Sequence, residues 1–127
     1  MNDETLLLRQ IHPRFVQRDR VTSQAFTPRS TDANRLSVYD GDQIEPEAAW
    51  RHYTTRQSLE SAGVLAVVVA ECTALDLPVR SDPDPFPEHA VIDFGALGRN
   101  AISRAAKRLR DAAGRRGWLH RAAAETP

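Results

Sequence analysis

Five polar residues fall within segments that read as β-strands, where neighbouring strands can bring them onto one face: Arg9, Ser23, Ser37, Tyr39 and His89. A guanidinium, two hydroxyls, a phenol and an imidazole are the groups that would hydrogen-bond a small polar ligand at the floor of a cleft. They form a candidate pocket, and no catalytic residue is assigned among them. The closing segment carries different chemistry. Arg104, Lys107, Arg108 and Arg115 recur on one side of a helical period, with Arg116 beside them. Such a row would meet the carboxylates of a partner protein or the phosphates of a nucleic acid. Asp111 falls in the same row, and no aromatic residue interleaves the cations, so nucleobases would find no stacking platform there.

Other reactive residue types lead nowhere. Asp82, Asp84, Glu88 and His89 are metal-ligand types in one short stretch, but Pro83, Pro85 and Pro87 deny it the central glycine and pliable backbone of a calcium loop. His12, His52, His89 and His120 include no pair at the i, i+4 spacing of a helical zinc site, and Cys72 has no companion. No metal and no cofactor is expected. Asp93-Phe94-Gly95 copies a kinase tripeptide without the glycine-rich loop or catalytic loop that gives it meaning. Cys72, closing an apolar run, reads as an inert buried thiol.

The elements that must position these groups follow from pattern and punctuation. Leu6–Ile11 is a short apolar strand stopped at His12-Pro13, because the residue before proline avoids the helical region. Arg14–Arg20 reads as a basic loop. Arg20–Phe26 alternates, which predicts a strand with Val21, Ser23 and Ala25 on one face. Arg29–Asn34 is a polar loop, Leu36–Tyr39 a strand, and Asp40-Gly41 a turn. Pro46 at a first helical position and Ala49, Trp50 and Tyr53 on one face predict a helix over about 46–57. Val64–Ala70 does not alternate, so both its faces should be covered, as in a central strand. Leu77–Val79 reads as an edge piece and Ser81–His89 as a proline-stiffened connector. His89–Phe94 is a final strand. Ile102, Ala105, Ala106, Leu109 and Ala113 form the apolar stripe of a helix over about 97–116 that Gly117 can end. The expected fold is α+β: one compact domain over residues 1–120, a mixed or antiparallel sheet of about five or six strands, two main helices, and a flexible tail over 121–127.

The 127-residue length suits one domain, and a 41% hydrophobic, 27% charged composition is ordinary for a soluble protein. No apolar run approaches the roughly 20 residues that span a bilayer, and the acidic start Asn2-Asp3-Glu4 is unlike a signal peptide. A lone cysteine agrees with a reducing cytoplasm. The net charge of zero hides a split. Residues 99–121 carry eight basic residues and one acid, while the rest of the chain is net negative by seven, with Asp76, Asp82, Asp84, Glu88 and Asp93 just ahead of the basic segment. Either the two segments satisfy each other within the fold, or the basic one is left for a partner.

Two resemblances bear on function. Arg20-Val-Thr-Ser-Gln-Ala-Phe, Leu36-Ser-Val-Tyr-Asp and Asp82-Pro-Asp-Pro-Phe-Pro-Glu-His-Ala together resemble an uncharacterised family of small bacterial proteins, which implies a bacterial cytosolic protein and no activity. The order of elements over residues 6–79 is similar to that of RES-type toxins, which implies an ADP-ribosyltransferase-like fold consuming NAD. The Gly-Arg-Trp-Asn signature of that family is absent after Arg20, and Arg51 and His52 stand where it would have an acidic residue. Three expectations result. The leading one is a non-enzymatic accessory protein of a bacterial cytosolic complex, with a protein partner and no membrane. The second is a divergent NAD-consuming enzyme built around Arg9, Ser23 and Tyr39, with NAD its only cofactor. The third is a nucleic-acid binder using Arg104, Lys107, Arg108, Arg115 and Arg116.

Overall fold

A computed structural model describes residues 1–123. Six strands make one fully antiparallel sheet, crossed on opposite faces by two helices, so the α+β architecture is as expected. In chain order these strands are β1 (Leu6–Ile11), then, after a small separate hairpin of β2 (Val16–Gln17) and β3 (Arg20–Val21), β4 (Arg35–Asp40), β5 (Gly63–Val68), β6 (Val79–Ser81), β7 (His89–Asp93) and β8 (His120–Arg121). Their spatial order is β6-β7-β4-β1-β5-β8. The helices are α1 (Pro46–Arg51), α2 (Val69–Thr73) and α3 (Arg99–Arg116). Among the described residues no helix is long and apolar enough to cross a membrane.

The alternation of strand side chains decides the layers. Leu7 and Ile11 of β1, Leu36 and Val38 of β4, Leu65 and Val67 of β5 and Ala90 and Ile92 of β7 point to the α3 face. There they meet Ala105, Ala106, Leu109 and Ala113, together with Phe26 and Phe94, all buried. Small alanines on α3 let the helix sit close to the pleat, and the predicted apolar stripe is the buried one. On the other face Leu8, Val64 and Ala66 pack beneath Ala49, Trp50 and Tyr53 of the α1 segment. α1 lies over β1 and β5 and leaves β4, β7 and β6 less covered on that side.

Several elements depart from the sequence reading, each for a physical reason. The strand predicted over Arg20–Phe26 stops at Val21, and Ser23–Phe26 forms a 3-10 turn. Neither face of the predicted strand was uniformly apolar, whereas the turn drives both Ala25 and Phe26 into the core under α3. The basic loop contains the β2–β3 hairpin, closed by Arg18 and Asp19 in left-handed geometry (φ 51° and 63°), a primed turn built without its favoured Asn-Gly pair. β5 is not central: it is fifth of six, and its two-sided burial comes from α3 on one face and α1 on the other. The edge piece is Val79–Ser81 instead of Leu77–Val79. The proline connector turns back on itself, with Asp82 N–H donating to the His89 carbonyl (2.9 Å), because β6 and β7 are antiparallel neighbours whose ends must meet. Arg121, placed at the start of a tail by composition, lies in β8 opposite Gly63; residues 124–127 lie outside the described residues. A Cβ on Gly63 would stand 2.5 Å from the His120 carbonyl oxygen and 2.9 Å from the Trp118 ring, so only glycine lets that last segment close on the sheet.

The helix predicted over 46–57 is present with a twist in its middle. After Arg51 it widens into a π turn, His52–Arg56, in which the Gln57 N–H reaches back five residues to the His52 carbonyl (3.2 Å). Such turns insert one extra residue and re-aim the side chains around them.

Candidate functional site

The β4–β7 register sets Tyr39 opposite His89 and Ser37 opposite Val91, all on the α1 face. His89 is 8% exposed, and both ring nitrogens are engaged. Nδ1 lies 2.8 Å from the Asp82 carbonyl oxygen, and the Asp82 carboxylate stands 3.5 Å away. A carbonyl can only accept, so Nδ1 carries a proton, and the tautomer this selects in the neutral imidazole presents its lone pair at Nε2. That nitrogen sits 3.1 Å from Ser37 Oγ, whose residue is exposed. The hydroxyl therefore donates to a buried imidazole whose tautomer is fixed from behind.

A second relay runs alongside. Tyr39 Oη lies 2.7 Å from His52 Nδ1 at the start of the π turn. Burial, and after it the neighbouring Tyr53 and Glu88, pushes the Tyr39 hydroxyl above its ordinary value. It keeps its proton and shares a hydrogen bond with His52. Phe86, from the proline loop, separates the two relays: its ring stacks on Tyr39 (4.9 Å between centroids) and meets His52 and His89 edge-on at 4.6 and 5.2 Å.

Of the five residues nominated from sequence, then, Ser37 and His89 bond directly and Tyr39 adjoins them, while Arg9 and Ser23 do not join a common pocket. Arg9 sits on the opposite, α3 face, where its Nε donates to the Ala25 carbonyl (2.8 Å) and Nη1 to the Ser37 carbonyl (2.9 Å). Desolvation lowers its guanidinium to about 10, still charged at neutral pH. Its role is to tie the Ser23–Phe26 turn to β4. Ser23 lies in that turn, its carbonyl accepting from Thr27 Oγ1. Sequence reasoning missed His52, Phe86 and the use of Asp82 as the group behind His89. No local signal marks them, since one comes from a π turn and two from a loop that closes only through strand pairing.

The basic helix answers the question the charge split raised. Arg104, Lys107, Arg108 and Arg115 are exposed, and none has an ion-pair partner among the described residues. Two of the preceding acids are used nearer home, Asp93 in a pair with Arg80 (2.9 Å) and Asp82 against His89, and among the described residues none of the five pairs with the helix. Arg116 is a correction. It turns inward, donating to the Ala66 carbonyl (2.9 Å) and to Glu71 (3.1 Å), and belongs to the fold. Asp111 pairs with its neighbour Arg110. Two open grooves flank the row. One, of about 480 Å³, runs past Val21, Leu65 and Trp118; the other, of about 490 Å³, past Ala74, Leu75 and Leu109; Arg115 and Asp111 border both. Cys72 is buried, and burial with Glu71 beside it pushes its thiol up to about 12, which leaves it a poor nucleophile. Among the described residues, no three His, Cys, Asp or Glu side chains gather as a metal site would require.

No protein-family model matches the chain, and neither a curated protein nor a solved structure matches it.

Proposed function

We propose that this protein is an accessory subunit that docks an acidic segment of a partner protein along the outward face of α3. The observation that carries the reading is the unpaired, exposed row of Arg104, Lys107, Arg108 and Arg115. A row of free cations costs self-repulsion unless a partner supplies carboxylates, and charge complementarity of this kind gives specificity and a fast encounter. The flanking grooves, with Trp118 and Val21 on one side and Leu75 and Leu109 on the other, would take apolar side chains from the same segment. A protein fits better than a nucleic acid. Asp111 interrupts the row where a continuous phosphate backbone would pass, and the remainder of the chain is net negative. A bacterial cytosolic complex is the proposed setting, in keeping with a single, buried cysteine.

The test compares wild type with Arg104→Glu/Arg108→Glu/Arg115→Glu, three exposed changes that leave the core untouched. A fluorescent peptide alternating Glu and Leu is expected to bind the wild type, and the triple variant to bind it more than about ten-fold more weakly, roughly 1.4 kcal/mol. Equal affinity for the two proteins would overturn the reading. Tighter binding of a short DNA duplex that falls steeply with salt would transfer the surface to nucleic acid. Release of nicotinamide from NAD by the purified protein would revive the NAD-consuming alternative.

A further inference from the structure

We infer that Ser37 is an acyl-accepting nucleophile, activated by His89 as general base, that takes carboxylic esters or thioesters bearing an anionic group. The site lies on the α1 face of the sheet, away from the docking row, and stands or falls separately from it. Three observations converge. Ser37 is an exposed residue whose hydroxyl lies 3.1 Å from His89 Nε2. That imidazole is nine-tenths buried, and its other nitrogen is held by the Asp82 carbonyl at 2.8 Å with the carboxylate at 3.5 Å, so its basic nitrogen has a fixed aim. The third is openness: α1 roofs β1 and β5, so an ester can reach Ser37 on β4 from solvent. Nucleophile, base and a group orienting the base are the arrangement from which serine acyl transfer is recognised. Asp82 is the positioning residue here.

The substrate class comes from the neighbours on the same strand face. Arg35 stands two residues from Ser37, about 7 Å along the strand, exposed and without an ion-pair partner among the described residues. The acid opposite it, Asp93, is held by the Gly95 N–H (2.7 Å) and by Arg80 (2.9 Å), which keep its carboxyl below the usual range, with Arg35 adding only a weaker long-range pull. Arg35 makes no ion pair with that acid, so its guanidinium can turn to a carboxylate or phosphate carried one strand repeat from the reacting carbonyl. In the step itself, Ser37 Oγ bonds to the acyl carbon as its proton passes to His89 Nε2. The carbon–oxygen or carbon–sulfur bond to the leaving group breaks, and His89 returns the proton to the departing alcohol or thiol. Water then bonds to the acyl carbon, giving a proton to Nε2; the bond from that carbon to Ser37 Oγ breaks, Nε2 returns the proton to Oγ, and the acid is released.

The experiment treats the full chain with p-nitrophenyl acetate and with mono-p-nitrophenyl succinate and maps adducts by peptide mass spectrometry. The chain supplies its own controls: exposed Ser30, Ser58 and Ser103, and a single lysine, Lys107. Ser37 is expected to label about a hundred-fold faster than those serines, the lower end of what general-base assistance contributes. The adduct should vanish in Ser37→Ala, an exposed change that leaves the fold intact, and fall at least ten-fold in His89→Gln. Arg35→Ala should slow succinyl transfer more than acetyl transfer. Labelling confined to Lys107 and the N-terminus, or Ser37 reacting no faster than Ser30, Ser58 and Ser103, would overturn the nucleophile. Equal slowing of both esters by Arg35→Ala would overturn the anionic substrate class.

Discussion

Beneath α3 the sheet presents Leu7, Ile11, Leu36, Val38, Leu65, Val67, Ala90 and Ile92, sealed by alanines and Leu109; its opposite face presents Leu8, Val64 and Ala66 beneath α1 and, around them, Gln10, Ser37, Tyr39 and His89. The difference lies in how much of each face a helix covers. α3 is 18 residues long and excludes water from its face, so polar groups there are costly unless, like Arg9, they bond to neighbouring carbonyls. The α1 segment is shorter and leaves part of the sheet open, and on that side polar groups persist by bonding to one another: Ser37 to His89, Tyr39 to His52, and Ser61 to Gln10 (2.7 Å). One face holds the molecule together and turns its helix outward; the other keeps hydrogen-bonded polar pairs close to solvent.

Three substitutions would sharpen or break that contrast. Phe94→Ala, at a fully buried position under α3, is expected to cost about 3–5 kcal/mol in chemical denaturation. A loss below about 1 kcal/mol would mean that this face does not carry the stability. Arg9→Met removes the donor to two carbonyls, only one of them in part-buried surroundings, and should cost about 1–2 kcal/mol. Amide exchange should quicken in the Ser23–Phe26 turn; an unchanged turn would show that Arg9 does not hold it. Tyr39→Phe deletes one hydroxyl on the α1 face and should cost about 1 kcal/mol. Its NMR effect should stay with His52 and its surroundings, and shifts reaching Leu109 on the other side would dissolve the distinction between the faces.

The same contrast explains what could be read without coordinates. β1, β4, β7, α1 and α3 were legible because their apolar residues recur at the period of the element and stop at His12-Pro13, Asp40-Gly41 or Gly117. The Ser23–Phe26 turn was not, since its conformation answers to α3 and to Arg9, sixteen residues upstream of the carbonyl it binds. β8 was hidden because two residues carry no periodicity, and it exists only where Gly63 lets Trp118 and His120 approach. For the site, residue types were legible and partnerships were not. Ser37 and His89 could each be nominated as polar strand residues, but the bond between them depends on a pairing 52 positions apart. Arg116 shows the converse: it shares the composition of the basic row, and only packing against Ala66 and Glu71 takes it out of that row.

The outermost strands have a consequence of their own. β6 offers three residues, led in by Pro78, which has no N–H to give, and β8 offers two. An edge that short is a poor template for another chain's backbone, the route by which many sheets recruit peptides or stack into aggregates. Any contact with another chain is thus left to side chains more than to backbone, and surface substitutions can alter it while the scaffold stays as it is.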